Sequence, residues 1–265
     1  MIRKPVAAGT FYPSAKKELL SLIEYLFEKK PKSNKNDYQK RGLILPHAGY
    51  VFSGKTAARA IEKVKGKPKN IYIIGPNHTG LGEDISIMDK SEWATPLGNV
   101  PINKTKADEL CNLLGIEPDY KAHLREHSIE VQLPLLQYWF EKDIRIIPIA
   151  MKDQSKQTAK TLGEILKQVS SKEDLIIAST DLNHYESQKT TIKKDELIIE
   201  DIKNMDTEKM YDHIMNEKIS MCGYGPASVL IHQDFKKVEI VSHSTSGEAS
   251  GEYETVVGYL SAILE

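Results

Sequence analysis

The hydrophobic positions along the chain fall into two periods. Short runs that are apolar at every position alternate with longer stretches whose apolar residues recur every three or four. The first kind includes Gly42-Leu43-Ile44-Leu45, Ile71-Tyr72-Ile73-Ile74, Ile144 to Ala150 and Leu175-Ile176-Ile177-Ala178. Uniformly apolar, β-branched runs bounded by Gly, Pro or Asn read as strands buried on both faces, the signature of a parallel sheet. The second kind includes Leu19, Leu20, Ile23, Leu26 and Phe27, a stretch near 53–64 with Ala57, Ala58 and Ala60, a ten-residue stretch from Thr105, and 156–169. These predict helices between the strands. Two charged helical stretches follow near 189–204 and 207–218, then an apolar helix at Ala227–Ile231 and closing strands at 238–241 and 255–260.

The punctuation is as informative. Ser14 is placed to cap the first helix. The polar, Lys/Asn-rich stretch 29–40 predicts a surface loop, and Trp93-Ala94-Thr95-Pro96-Leu97-Gly98 a turn-rich segment. No repeat and no linker divides the chain, so a single domain over 1–265 is expected, of α/β class with helices flanking a mainly parallel sheet.

Ligands of open α/β sheets bind beyond the carboxyl ends of the strands. Three of the apolar runs end there on chemically active residues: Pro46-His47, Gly75-Pro76-Asn77-His78, and Ser179-Thr180-Asp181-Leu182-Asn183-His184. Neutral imidazole binds Zn, Cu and Fe, so His47 and His78 with one anionic ligand would make a three-ligand site with open positions. His184 is a candidate acid or base near neutral pH, with Asp181 fixing its tautomer or acting through a water; Asp181 as a helix cap is the plainer alternative. Cys222 lies in a Gly-Tyr-Gly-Pro turn before a helix, a setting that with a bound cation lowers a thiol pKa; otherwise it is a small buried hydrophobe. Capping and surface pairing account for Glu126 and Glu130. His127 between them is a candidate for supporting the site from outside the ligand set. The run from Ile144 ends on no ligand.

The bulk properties narrow the partners. Lys plus Arg number 36 against 37 Asp plus Glu, so no global field favours nucleic acid or a membrane surface. Two cysteines do not make a disulfide scaffold, and a leader or membrane-length apolar run is not found. A reducing, cytoplasmic setting is the expectation.

Leu45-Pro46-His47-Ala48-Gly49-Tyr50, Gly75-Pro76-Asn77-His78, Glu126-His127-Ser128-Ile129-Glu130, Ser179 to His184 and Cys222-Gly223, with Gly9-Thr10-Phe11-Tyr12-Pro13 ahead of them, resemble the motifs of the Memo family, in order and over essentially the whole chain. The resemblance implies the three-layer α/β sandwich of class III extradiol dioxygenases. In those enzymes two histidines and a glutamate hold non-haem Fe(II) and a further histidine is the acid–base. It matches His47 and His78 to the metal histidines, His184 to the acid–base, Asp181 to a site aspartate, and Cys222 to the position of the carboxylate ligand. A His₂Cys set suits Cu or Zn as well as Fe(II). The expected function is a metal-binding protein with redox or oxygenase-like chemistry. The alternatives are a peptide- or protein-binding module that uses the same pocket, and a metal-assisted hydrolase. A radical-SAM protein and an AMMECR-type protein are the partners the resemblance implies.

Overall fold

The computed structural model describes residues 2–29, 38–39, 41–89, 92–141 and 144–265. Most of the polar stretch 29–40 therefore lies outside the described residues. In chain order the elements are β1 (Ile2–Arg3), α1 (Lys16–Leu26), β2 (Arg41–Leu45), a π-helical turn (Tyr50–Gly54), α2 (Lys55–Ile61), β3 (Ile71–Pro76), β4 (Ile85–Ile87), β5 (Glu92–Thr95), β6 (Gly98–Pro101), α3 (Lys104–Leu114) and α4 (Gln132–Trp139). They continue with β7 (Ile146–Met151), α5 (Lys156–Val169), β8 (Leu175–Ser179), β9 (His184–Glu186), α6 (Gln188–Lys203), α7 (Thr207–Asn216), α8 (Tyr224–Ile231), β10 (Val238–Thr245), α9 (Gly247–Ser250) and β11 (Val256–Leu264).

The central sheet runs β10-β11-β2-β8-β3-β7-β4, with β9 paired to β11. β2, β8, β3 and β7 are mutually parallel, and antiparallel strands close both edges. Alternate residues of each parallel strand enter opposite cores. Ile44, Ile74, Ile149 and Ile176 pack toward α3 and α5–α8. Leu43, Ile73, Ile146 and Ile177 pack toward α1, α2 and α4. All eight are fully buried, each contributing roughly 1.5–3 kcal/mol of hydrophobic free energy. Burial on both faces is why these strands lack a polar face. The architecture is α/β, with helices on both faces of a mainly parallel sheet.

Three local expectations are corrected. Ser14 does not cap α1, whose N-cap is Ala15 with no side-chain hydrogen bond. The stretch from Trp93 to Gly98 is not merely turns: β5 and β6 form a hairpin, and β1 adds to β5 in parallel as a second, three-stranded sheet. The helix expected from Ser53 opens with the π-helical turn, immediately beyond His47-Ala48-Gly49, a geometry that occurs often at functional sites.

Candidate metal centre

Because β2, β8 and β3 are neighbours, the segments after their carboxyl ends converge. His47, Asp181, His184 and His78 line one cavity of about 570 Å³, together with Phe11, His127, Tyr185, Ser220 and Cys222. A larger cavity, about 730 Å³, lies elsewhere beside Asp89, Lys104, Asp108 and Cys111. Its lysine is already paired with both aspartates.

Among the described residues, the ligand atoms of His47, His78 and His127 all lie within 4.8 Å of one another. His127, expected only as a support, joins the two histidines from the strand ends. An ion about 2.1 Å from two nitrogens in tetrahedral geometry needs them about 3.4 Å apart, inside the 4.8 Å that bounds this group. The rings are already in contact: His78 and His127 stack with centroids 4.7 Å apart, and His47 meets both edge-on. Phe11 stacks on His127 at 4.4 Å.

The hydrogen bonds behind the rings decide which nitrogen is free. Ser179 Oγ donates to the Ser128 carbonyl and accepts from Gln132 Nε2. Its hydrogen is therefore committed, and His47 Nδ1, 3.0 Å away, must donate to it. That leaves the His47 Nε2 lone pair facing the cavity. His78 Nδ1 lies 2.9 Å from Glu126 Oε1, and His127 Nδ1 is 3.4 Å from the same oxygen. With Nδ1 of His47 and His78 hydrogen-bonded, their Nε2 lone pairs are free, and with His127 beside them the three rings make a donor set that fits a metal ion.

The surroundings set the charges. Burial, with His127 and His78 nearby, holds the His47 pKa well below its ordinary value, so this ring is neutral. Burial also lowers His127. At His78 burial acts downward, but the hydrogen bond and charge of Glu126 outweigh it and raise the pKa. Glu126 itself is held at about 2: burial opposes ionisation, and His78, the Ser128 amide and His127 overcome it. Neither Glu126 nor Glu130 is the surface acid that capping implied; both are fully buried.

His184 donates Nδ1–H to the Ser220 carbonyl at 2.9 Å, and its amide donates to Ser220 Oγ. Ser220, rather than Asp181, orients this ring. Burial lowers its pKa, so it is a neutral base near pH 7. Asp181 turns to the other side of the site. Its Oδ1 accepts from the His47 amide at 2.9 Å, and its Oδ2 is 4.0 Å from His47 Nε2. Burial pushes its carboxyl up to about 7 despite the amides of His47 and Ala48.

Cys222 stands beside the histidine group. Its Sγ is 3.3 Å from His47 Nε2 and accepts from the Asp181 amide. Burial, reinforced by Asp181, raises the thiol far above its ordinary range, so the protein surroundings alone keep it S–H rather than the thiolate its helix position suggested. Gln154, just beyond β7, braces this turn by donating to the Cys222 carbonyl and accepting from the Gly225 amide. The strand that ends on no ligand thus supports the site from outside.

The Memo-like protein family model matches residues 3–263. The chain belongs to the Memo family. A MEMO1 family protein of Thermotoga neapolitana is 48% identical, the match covering 100% of both chains. One from Nitrosopumilus maritimus is 41% identical, over 98% of each. Among solved structures, an uncharacterized Escherichia coli K12 protein shares the fold, with a TM-score of 0.59 at 14% identity over 85% of this Memo-family chain and 99% of that one.

Proposed function

We propose that this Memo-family chain holds one metal ion on His47, His78 and His127 and uses it for redox or oxygenase-like chemistry on a small substrate in the 570 Å³ cavity. The observation that carries the reading is the convergence of the ligand atoms of His47, His78 and His127 within 4.8 Å of one another on the wall of this cavity, with Nδ1 of His47 and His78 held by hydrogen bonds from behind. Imidazole ligands suit Fe(II) and Cu as well as Zn; when bound, such an ion supplies Lewis acidity or a one-electron couple.

The protein's own groups would handle protons. His184 presents Nε2 as a base held by Ser220, and Asp181, with a pKa near neutrality, can give up or take a proton on the opposite wall. Phe11 covers one side of the His127 ring and excludes water there.

The test is elemental analysis of protein purified anaerobically without chelator, compared with His47→Ala. Roughly one Fe or Cu per wild-type chain, lost in the variant, is the expected outcome and justifies a substrate screen under oxygen. Zn in its place would favour hydrolysis, since zinc lowers the pKa of bound water to about 7. A wild-type chain that takes up no metal on reconstitution overturns the reading and leaves the cavity as a peptide-binding pocket.

A further inference from the structure

We infer that Glu126 is a positioning residue which, through one carboxylate oxygen, sets both His78 and His127 for metal binding and makes the two rings a single unit. The inference rests on the metal-centre reading and assigns the residue that enforces it.

The geometry is specific. Glu126 Oε1 receives His78 Nδ1 at 2.9 Å and the amides of His127 and Ser128 at 2.9 Å each, and it lies 3.4 Å from His127 Nδ1. Oε2 receives the His78 amide at 2.6 Å. The side chain is fully buried and, among the described residues, pairs with no lysine or arginine; Arg3 bonds its backbone carbonyl but gives its own charge to Glu130. Its negative charge is therefore held by backbone amides and by the two imidazoles. A carboxylate only accepts, so the neutral His78 ring bonded to it must carry its hydrogen on Nδ1, and the His127 ring, 3.4 Å away without a hydrogen bond, is drawn to the same tautomer by the negative charge. Both rings then have their lone pair on Nε2, made more basic by the anion behind them.

His47 is set differently, by the neutral Ser179–Gln132 pair. The ligand set thus contains one ring backed by a hydroxyl and two backed by a shared anion. Removing the anion should disturb His78 and His127 together and leave the His47 tautomer unchanged. The fixed direction of the Glu126 oxygen comes from below: the Ser128 hydroxyl donates to the Pro76 carbonyl, which ties the loop after β3 to the turn that carries Glu126.

The experiment is side-chain ¹⁵N NMR of histidine-labelled protein in chelator at alkaline pH, where the rings are neutral, with cobalt(II) titration of the same samples. Wild type should show Nδ1–H tautomers at His78 and His127. In Glu126→Gln both should shift toward mixed tautomers while His47 does not, and cobalt affinity should fall roughly 10- to 100-fold. Glu126→Asp, which keeps the charge, should recover part of that loss.

An Nε2–H tautomer at either ring in wild type overturns the inference, whether or not a variant folds. So does a Glu126→Gln protein with unchanged tautomers and affinity within about threefold of wild type, well short of the loss expected for an outer partner of this kind. The expected tautomer changes in a protein that takes up no cobalt would uphold the positioning role and overturn the metal centre.

Discussion

The sulfur of Cys222 lies 3.3 Å from Nε2 of His47, although the two residues are 175 positions apart. A sulfur at about 2.3 Å and a nitrogen at about 2.0–2.1 Å from one ion in tetrahedral geometry stand about 3.5–3.6 Å apart, within about 0.3 Å of this separation. The pair is spaced as two ligands of the same ion would be. Burial keeps the thiol protonated in the protein's own surroundings, so binding by sulfur must release a proton. We expect cobalt(II) to give a near-ultraviolet sulfur-to-metal band in wild type that Cys222→Ser lacks, while the variant still binds about one ion through its histidines. An identical spectrum in both proteins would place the sulfur outside the ligand set.

Glu130 anchors the N-terminal segment. Its carboxylate pairs with Arg3, takes the amides of Val6 and Ala7, and accepts from the Tyr12 hydroxyl. Arg3 also lies over the Trp93 ring at 4.0 Å. Glu130→Ala would leave a buried, unpaired guanidinium, a loss of about 3–5 kcal/mol. Urea unfolding should show it, and Arg3→Met/Glu130→Gln should recover part of the loss. Because Phe11 belongs to this segment, metal affinity should fall as well.

His123 should control acid stability. It is fully buried, its Nε2 donates to the Ser86 carbonyl, and its Nδ1 has no hydrogen-bond partner among the described residues. Burial lowers its pKa to about 4, against about 6.5 in an unfolded chain. Between those values the unfolded chain binds the extra proton, so stability is full above pH 6.5 and declines as pH falls toward 4. The loss across that window is on the order of 3 kcal/mol. Comparing urea midpoints at neutral and mildly acidic pH, His123→Gln should be less pH-dependent than wild type; equal slopes would refute this.

Gly75 gives room rather than an unusual backbone angle. It is not among the positive-φ residues, but a β-carbon there would collide with Ser128 Oγ. Gly75→Ala should cost about 1–3 kcal/mol from overpacking. It should also weaken metal binding, since Ser128 follows His127 and its amide holds Glu126. A variant with normal stability and affinity would show that the loop shifts freely.

How much of this was written in the sequence differs element by element. β2, β3 and β8 were legible because interior parallel strands must be apolar on both faces, and the groups at their ends were legible because such sheets place ligands there. The place of His127 beside His47 and His78 was not legible, for the opposite reason. It follows no strand, and its Glu-His-Ser-Ile-Glu setting reads as a capped helix start, whereas α4 begins only at Gln132. Its approach to His78 is fixed by Glu126 across 48 residues, a contact with no local signature. Asp181 was found, but its partnership was not: a spacing of three from His184 suggested a pair, and the fold directs the two to different partners. The π-helical turn and the β5–β6 hairpin likewise depend on packing rather than on propensity.

The union of Arg3 with Glu130 also orders events in time. The two residues are 127 positions apart, so at about 5–20 residues per second a ribosome needs roughly 6–25 s to deliver the second after the first. Within that interval Arg3 gains β5 to pair with but not the carboxylate that takes its charge. Phe11 can settle on His127 only once the turn before α4 exists, so this wall of the pocket waits for a partner made long after Phe11 itself.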